Sequence, residues 1–294
     1  MGVTVFSPAK INLFLAVTGR RSDGFHDLVS VVAPLDFGDE LEARRVPKRD
    51  GESRFSLTCT DPALAVDRTN LVLRAAEAFA AATGWAEAVE FHLHKRIPVG
   101  AGLGGGSSNG AAALRALNEL SGGLARADQM TALAVGLGSD CPLFLRDGPV
   151  VMRGRGERVD DLPESALRRL RGQPVLLFKP SFGVPTVWAY ARMAARGTDY
   201  VAPAEAEAKL RTWIAGEAPA AKLLLNNFEG PVFEKYVALP ALLEPWRREG
   251  RTVILTGSGS ACVALTSDDP VTPLIDRIRA AWGEAAFVQS ACIR

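Results

Sequence analysis

Apolar positions are almost continuous across residues 3–17, which predicts one or two strands interrupted at Ser7-Pro8-Ala9. Residues 20–24 carry a turn signature, and residues 28–35 and 39–46 predict two further strands, the second partly alternating. Residues 70–83 have the helical period and end at Gly84, while 89–94 alternate like a strand. Helices are expected over 107–120 and 127–135, with Ser107 or Ser108 as a cap for the first. The helical pattern then breaks over residues 137–144. A short strand at 150–152 and a turn at 153–156 give the first candidate boundary. Beyond it the pattern predicts a strand at 174–178, an alanine-rich helical region over 203–246 and a strand at 252–255. A glycine-containing loop at 256–261, a strand at 262–266, a helix over 271–282 and a final strand complete the chain. Strands and helices mix without regular β-α-β alternation, which predicts an α+β fold. Two domains are expected, residues 1–152 and 153–294.

The strand at 89–94 runs into the most informative segment. Five of the seven residues from Gly100 to Gly106 are glycine, two serines follow, and an alanine-rich helix begins. Glycine lets the backbone approach a ligand closely, and a helix N-terminus offers free N–H groups and the positive end of its dipole. The combination binds phosphate, most simply that of a nucleoside triphosphate. No lysine follows the glycines, so the loop is not a Walker A sequence. The G-x-G-x-x-G spelled by Gly100, Gly102 and Gly105 is weak support for a dinucleotide fold at this place in the chain.

Composition narrows the class. The chain has 294 residues, 48% hydrophobic and 23% charged, with a net charge of +1 and no long basic run. Those values fit a globular protein with ample core and argue against nucleic acid as a partner. The four cysteines lack C-x-x-C spacing and are expected as free thiols. No signal-peptide pattern or membrane-length apolar run is present, so a cytoplasmic location is expected.

Several polar residues could carry chemistry. Asp140 could be a general base, or the cap of a short helix that starts at Pro142. Lys10 and Asn12 share a face of their strand and could be functional, or could mark the solvent side of an edge strand. His26 follows a turn and could touch a ligand or lie exposed. His92 and His94 share a strand face, but no third ligand completes a zinc set. Cys141 could be a nucleophile, though a buried small residue is the better reading.

Three motifs occur in order: Pro8-Ala9-Lys10-x-Asn12, the segment Pro98 to Ser108, and Gly257-Ser258-Gly259-Ser260-Ala261. With them the chain resembles the GHMP kinases, the superfamily of galactokinase, homoserine kinase and mevalonate kinase. Arg21-Ser-Asp-Gly-Phe-His26, Asn70-Leu-Val-Leu-Arg74 and Gly138-Ser-Asp-Cys-Pro-Leu-Phe144 narrow the resemblance. They match the branch that phosphorylates the 2-hydroxyl of a cytidine-diphosphate-linked methylerythritol in the non-mevalonate isoprenoid route. The resemblance covers essentially the whole chain. It implies a two-lobed kinase with its active site in the cleft between lobes, using ATP and Mg²⁺, with the phosphate loop in the N-terminal domain. By motif position Asp140 falls on the catalytic aspartate and Lys10 on the catalytic lysine. Pro98, Val99, Gly100, Ala101, Gly102, Leu103, Gly104, Gly105, Gly106, Ser107 and Ser108 fall on the ATP loop. Asn70, Lys95 and Asn109 fall on the nucleotide side. Asn12, Phe25, His26, Thr186, Tyr190, Gly257, Ser258 and Gly259 fall on the cytidine and erythritol side.

There are departures. Phe25 stands where the branch usually has tyrosine, and Ser139 and Cys141 where it often has alanine and valine. No carboxylate is assigned to magnesium, for which Ser107 or Ser108 are candidates. A GHMP kinase for mevalonate or homoserine, and an inactive nucleotide-binding sensor, are the alternatives. The oligomeric state is left open.

Overall fold

The computed structural model describes residues 1–47, 53–266 and 270–294. Its contacts divide the chain into two compact units built from interleaved segments. The first holds Met1–Ala9, Phe37–Val99 and Gly104–Asp147; the second holds Lys10–Asp36, Gly100–Leu103 and Gly148–Arg294. A cut after Met152, as chain order suggests, is a separate proposal about autonomous folding that limited proteolysis would test.

Strands β1 (Gly2–Arg20) and β2 (His26–Val46) each run without a break and contribute to both units. The sequence pattern predicts an interruption at Ser7-Pro8-Ala9 and two strands rather than one over 28–46. Gly38 supplies the reason for the continuity. A Cβ there would lie 2.3 Å from the Ser7 carbonyl oxygen and 2.7 Å from Pro8 Cα, so only glycine lets the two backbones meet.

In the first unit β2 pairs antiparallel with β4 (Ala88–His94), and β4 pairs parallel with β3 (Phe55–Cys59). Helices α1 (Leu71–Thr83), α2 (Gly105–Leu120) and α3 (Ala127–Leu137) share one core with these strands. Asn70 caps α1 through the Val72 N–H, and Gly84 closes it in the left-handed conformation. Alanines at 111, 112, 113 and 116 let α2 bury nearly all round, close against α1. Phe79 and Trp85 meet edge to face at 6.1 Å, and each buried ring of this size contributes about 1.5–3 kcal/mol.

In the second unit β5 (Val150–Gly154) joins β2 and β6 (Arg158–Asp161). After the short α4 (Glu164–Leu167) comes β7 (Pro174–Lys179), then α5 (Thr186–Arg196), which the sequence pattern did not predict. The expected helical region over 203–246 is broken. It contains α6 (Pro203–Ala215), the two-residue β8 (Leu225–Asn226), α7 (Glu229–Lys235) and α8 (Ala238–Arg248). The break is tertiary: β8 pairs parallel with β1, Phe14 opposite Leu225. Strands β9 (Val253–Leu255) and β10 (Cys262–Leu265), helix α9 (Thr272–Trp282) and β11 (Phe287–Cys292) follow. They complete an antiparallel sheet in the order β11-β7-β10-β9. Phe178 on β7 packs between Trp246 and Trp282, at 5.4 and 5.7 Å. Among the described residues no helix is long and apolar enough to cross a membrane.

Candidate active site

The expected site residues divide between the two units, and each set is built by its own elements. In the second unit the two glycine-containing loops meet backbone to backbone. The Ala261 N–H donates to the Ala101 carbonyl at 3.1 Å, and a Cβ on Gly102 would lie 2.9 Å from the Thr256 carbonyl oxygen. Gly102 also has φ +79°, so both space and backbone conformation exclude a side chain. Asn226 on β8 holds the later loop by donating to the carbonyls of Leu255 and Gly257, both at 2.8 Å.

Beside these loops β1 carries Lys10 and Asn12, each only 5% exposed. That excludes the solvent face of an edge strand. Lys10 Nζ donates to Asn12 Oδ1 at 2.6 Å, and Asn12 Nδ2 donates to Ser30 Oγ at 2.8 Å. The Asn12 N–H donates to Thr256 Oγ1 at 2.8 Å, and the Lys10 N–H to the Leu103 carbonyl at 3.0 Å. One strand therefore ties an oriented ammonium to both glycine loops.

In the first unit α2 starts at Gly105, two residues earlier than expected. Its N-cap is Gly104, in the left-handed conformation with no side-chain cap, and Ser107 and Ser108 lie inside the helix rather than capping it. The Ser108 N–H is the first to reach a helical acceptor, the Gly104 carbonyl at 2.9 Å. The amides of Gly105, Gly106 and Ser107 are the orphan donors suited to an anion. Gly105 packs tightly, since a Cβ there would lie 3.1 Å from Lys95 Nζ.

Below this turn sits a residue missed in the sequence, Asp39. Its carboxylate is fully buried and accepts four hydrogen bonds. The N–H groups of Arg96 and Ile97 donate to Oδ1 at 2.7 and 2.8 Å; Lys95 Nζ and Asn109 Nδ2 donate to Oδ2 at 2.6 and 2.8 Å. Asn109 also donates to Ser7 Oγ, which donates in turn to Ser108 Oγ, both at 2.8 Å. Asn70 is engaged too: it caps α1 and donates to the Ala65 carbonyl at 2.7 Å.

Asp140 lies half-buried just before a 3-10 turn over Pro142–Leu145. The capping residue of that turn is Cys141, without a side-chain bond, so Asp140 is not its cap. Burial pushes the Cys141 thiol up to about 11, and the Ser107 hydroxyl hydrogen-bonds it. A buried neutral thiol is a poor nucleophile. His92 and His94 bond Thr58 and Glu42 respectively, and no cluster of three metal-ligating side chains occurs among the described residues.

The second unit also holds an aromatic group at the start of β2. Phe25 is 53% exposed, with the Arg155 guanidinium 4.6 Å over its ring. His26 is buried rather than exposed, 3.1 Å from the Tyr200 hydroxyl and 4.7 Å from the Tyr190 ring. Burial, with the Arg20 charge, holds its pKa below the usual histidine value. Tyr190 also meets Phe228 edge to face at 4.8 Å, so Phe25 offers the more open aromatic surface. Thr186, at the start of α5, has its hydroxyl 2.9 Å from that of Ser258 in the later loop.

The chain is similar to known proteins. The family model for the GHMP kinases N terminal domain matches residues 70–148. The 4-diphosphocytidyl-2-C-methyl-D-erythritol kinase of Synechococcus sp. (strain CC9311) is 37% identical over 303 residues, covering 99% of this chain and 95% of the relative. The chain belongs to the 4-diphosphocytidyl-2-C-methyl-D-erythritol kinase family. A chloroplastic kinase of that family from Mentha piperita is 36% identical over 91% of this chain, which spans only 65% of that longer relative. A crystal structure of 4-(cytidine 5'-diphospho)-2C-methyl-D-erythritol kinase superposes with a TM-score of 0.76 at 34% identity and covers 99% of both chains. The α+β GHMP kinase fold expected from the sequence is the observed one.

Asp39, Ser30 and Tyr200 lie away from the motifs, whereas Ser7 and Thr256 directly precede two of them without an assigned role; all five hold expected site residues in place.

Proposed function

We propose that this chain transfers the γ-phosphoryl group of ATP to the 2-hydroxyl of 4-diphosphocytidyl-2-C-methyl-D-erythritol, a step in the non-mevalonate route to isoprenoid precursors. The observation that carries the reading is the buried, oriented Lys10 ammonium tied to both glycine loops, in a chain of this family. Asp140 accepts the hydroxyl proton as the new P–O bond forms, since an alcohol is a poor nucleophile near neutral pH. Lys10 offsets charge on the transferring phosphoryl group. The orphan amides at the start of α2 bind the phosphates. Phe25 stacks on the cytosine ring, and the His26 segment reads its edge.

Magnesium supplies charge neutralisation on the phosphate oxygens when bound. Hydroxyl side chains at the start of α2 would hold the ion beside the nucleotide phosphates. Ser107 is the better protein ligand, because Ser108 is buried and bonded to Ser7. The enzyme works in the cytoplasm on a small molecule carrying a cytidine diphosphate group.

ADP release with the cytidine-linked alcohol, set beside mevalonate and homoserine, tests the reading. Turnover should be confined to the first. Faster turnover of either other alcohol moves the chain to that specificity, and ATP binding without turnover of any alcohol makes it a sensor.

A further inference from the structure

We infer that Asp39 is a positioning residue for ATP, clamping both ends of the phosphate loop with one carboxylate. At the entry, Oδ1 accepts the consecutive N–H groups of Arg96 and Ile97, the last residues before Pro98. At the exit, Oδ2 accepts from Asn109, in the first turns of α2. The same oxygen holds Lys95, whose ammonium would lie 3.1 Å from a Cβ on Gly105 and is thereby fixed under the orphan amides. Asp39 is placed for this by register. Glu40 is opposite His94 in the β2–β4 ladder, so Asp39 sits where β4 ends and the chain turns into the loop.

The physical demand is for rigidity. A glycine-rich loop has many conformations in the free protein, and each must be given up when phosphate binds. Fixing both ends lowers that cost before the ligand arrives. A carboxylate suits the task because it only accepts, and its two oxygens can serve four donors. Asparagine has the same shape but turns one acceptor into a donor. It would face either the two backbone N–H groups or the Lys95–Asn109 pair with the wrong group.

The inference rests on the reading of residues 98–108 as the ATP loop, and one set of measurements separates the two. Calorimetric titration with Mg-ATP, without the alcohol, is made on the native chain, on Asp39→Asn and Asn109→Ala, and on the double variant. Native protein that does not bind Mg-ATP overturns the loop reading itself. If the native chain binds, each single variant should lose roughly ten- to hundredfold in affinity, the worth of one or two hydrogen bonds to a charged group. The double variant should be no worse than the weaker single one, because both act through the same clamp. In steady state the KM for ATP should rise while the KM for the cytidine-linked alcohol stays within about twofold, a split that general destabilisation would not produce. Unchanged ATP affinity in the folded variants, or losses that add in the double variant, overturns the role given to Asp39. If Asp39→Asn does not fold, Asn109→Ala decides alone, since it removes the exit tether, together with the bond to Ser7, and leaves the entry bonds to Arg96 and Ile97 in place; native-like ATP affinity there is refuting.

Discussion

Gly100 and Gly102 lie two residues apart in one loop and have nearly the same backbone, φ +66° and +79°. Alanine at either site meets the same left-handed penalty, about 1–2 kcal/mol. It also restricts the unfolded chain, which returns about 0.4–1 kcal/mol at both. These contributions cancel between the two sites. The surroundings do not: a Cβ on Gly100 has nothing within 4 Å, whereas one on Gly102 meets the Thr256 carbonyl oxygen at 2.9 Å and that of Gly259 at 3.2 Å. Those atoms are backbone and cannot swing aside as a side-chain end would. Forcing the contact should cost about 1–3 kcal/mol more, the usual range for overpacking. Gly102→Ala should therefore be less stable than Gly100→Ala by that difference. Urea unfolding of both variants, compared at matched m-values, measures it. A direct consequence is loss of the Ala261–Ala101 hydrogen bond, visible as faster amide exchange at Ala261 in Gly102→Ala only. Equal midpoints for the two variants would refute the claim that close approach of the two loops, rather than φ alone, requires glycine at 102.

Asp140→Asn removes the proton acceptor without removing a cap, so kcat should fall roughly 10²–10⁴-fold with the melting temperature nearly unchanged; near-normal turnover removes Asp140 from the mechanism. Phe25→Ala should weaken the cytidine-linked substrate by about 1–3 kcal/mol in calorimetry while Phe25→Tyr is mild, and equal loss of ATP affinity would mean that the turn merely supports the fold. For His26 the sign follows from burial, which lowers the folded pKa below the ordinary 6.5. The stability held by its neutral ring is present above that value and is lost as pH falls through the lowered one. The stability difference between native protein and His26→Gln should shrink on acidification below about pH 6.5, and a difference that grows would reverse the assignment.

Local chemistry was enough for the features whose partners lie within a few residues. The stop of α1 at Gly84 needs only neighbours on the same helix, and the helix that follows the glycine run is legible from its alanine-rich composition. The motif positions of Lys10 and Asp140 are local as well. Tertiary structure decided whatever depends on distant partners. Whether Lys10 and Asn12 face water or the interior depends on Ser30 and on Thr256, 244 residues from Asn12. The continuity of β1 through Pro8 depends on Gly38 having no side chain, and the break within 203–246 on β8 finding an edge of β1. Asp39 is the clearest case. In the sequence it is one more acid at the start of a strand, because its donors lie 56 to 70 residues away. A buried carboxylate is tolerated only where donors surround it, and no window along the chain contains them.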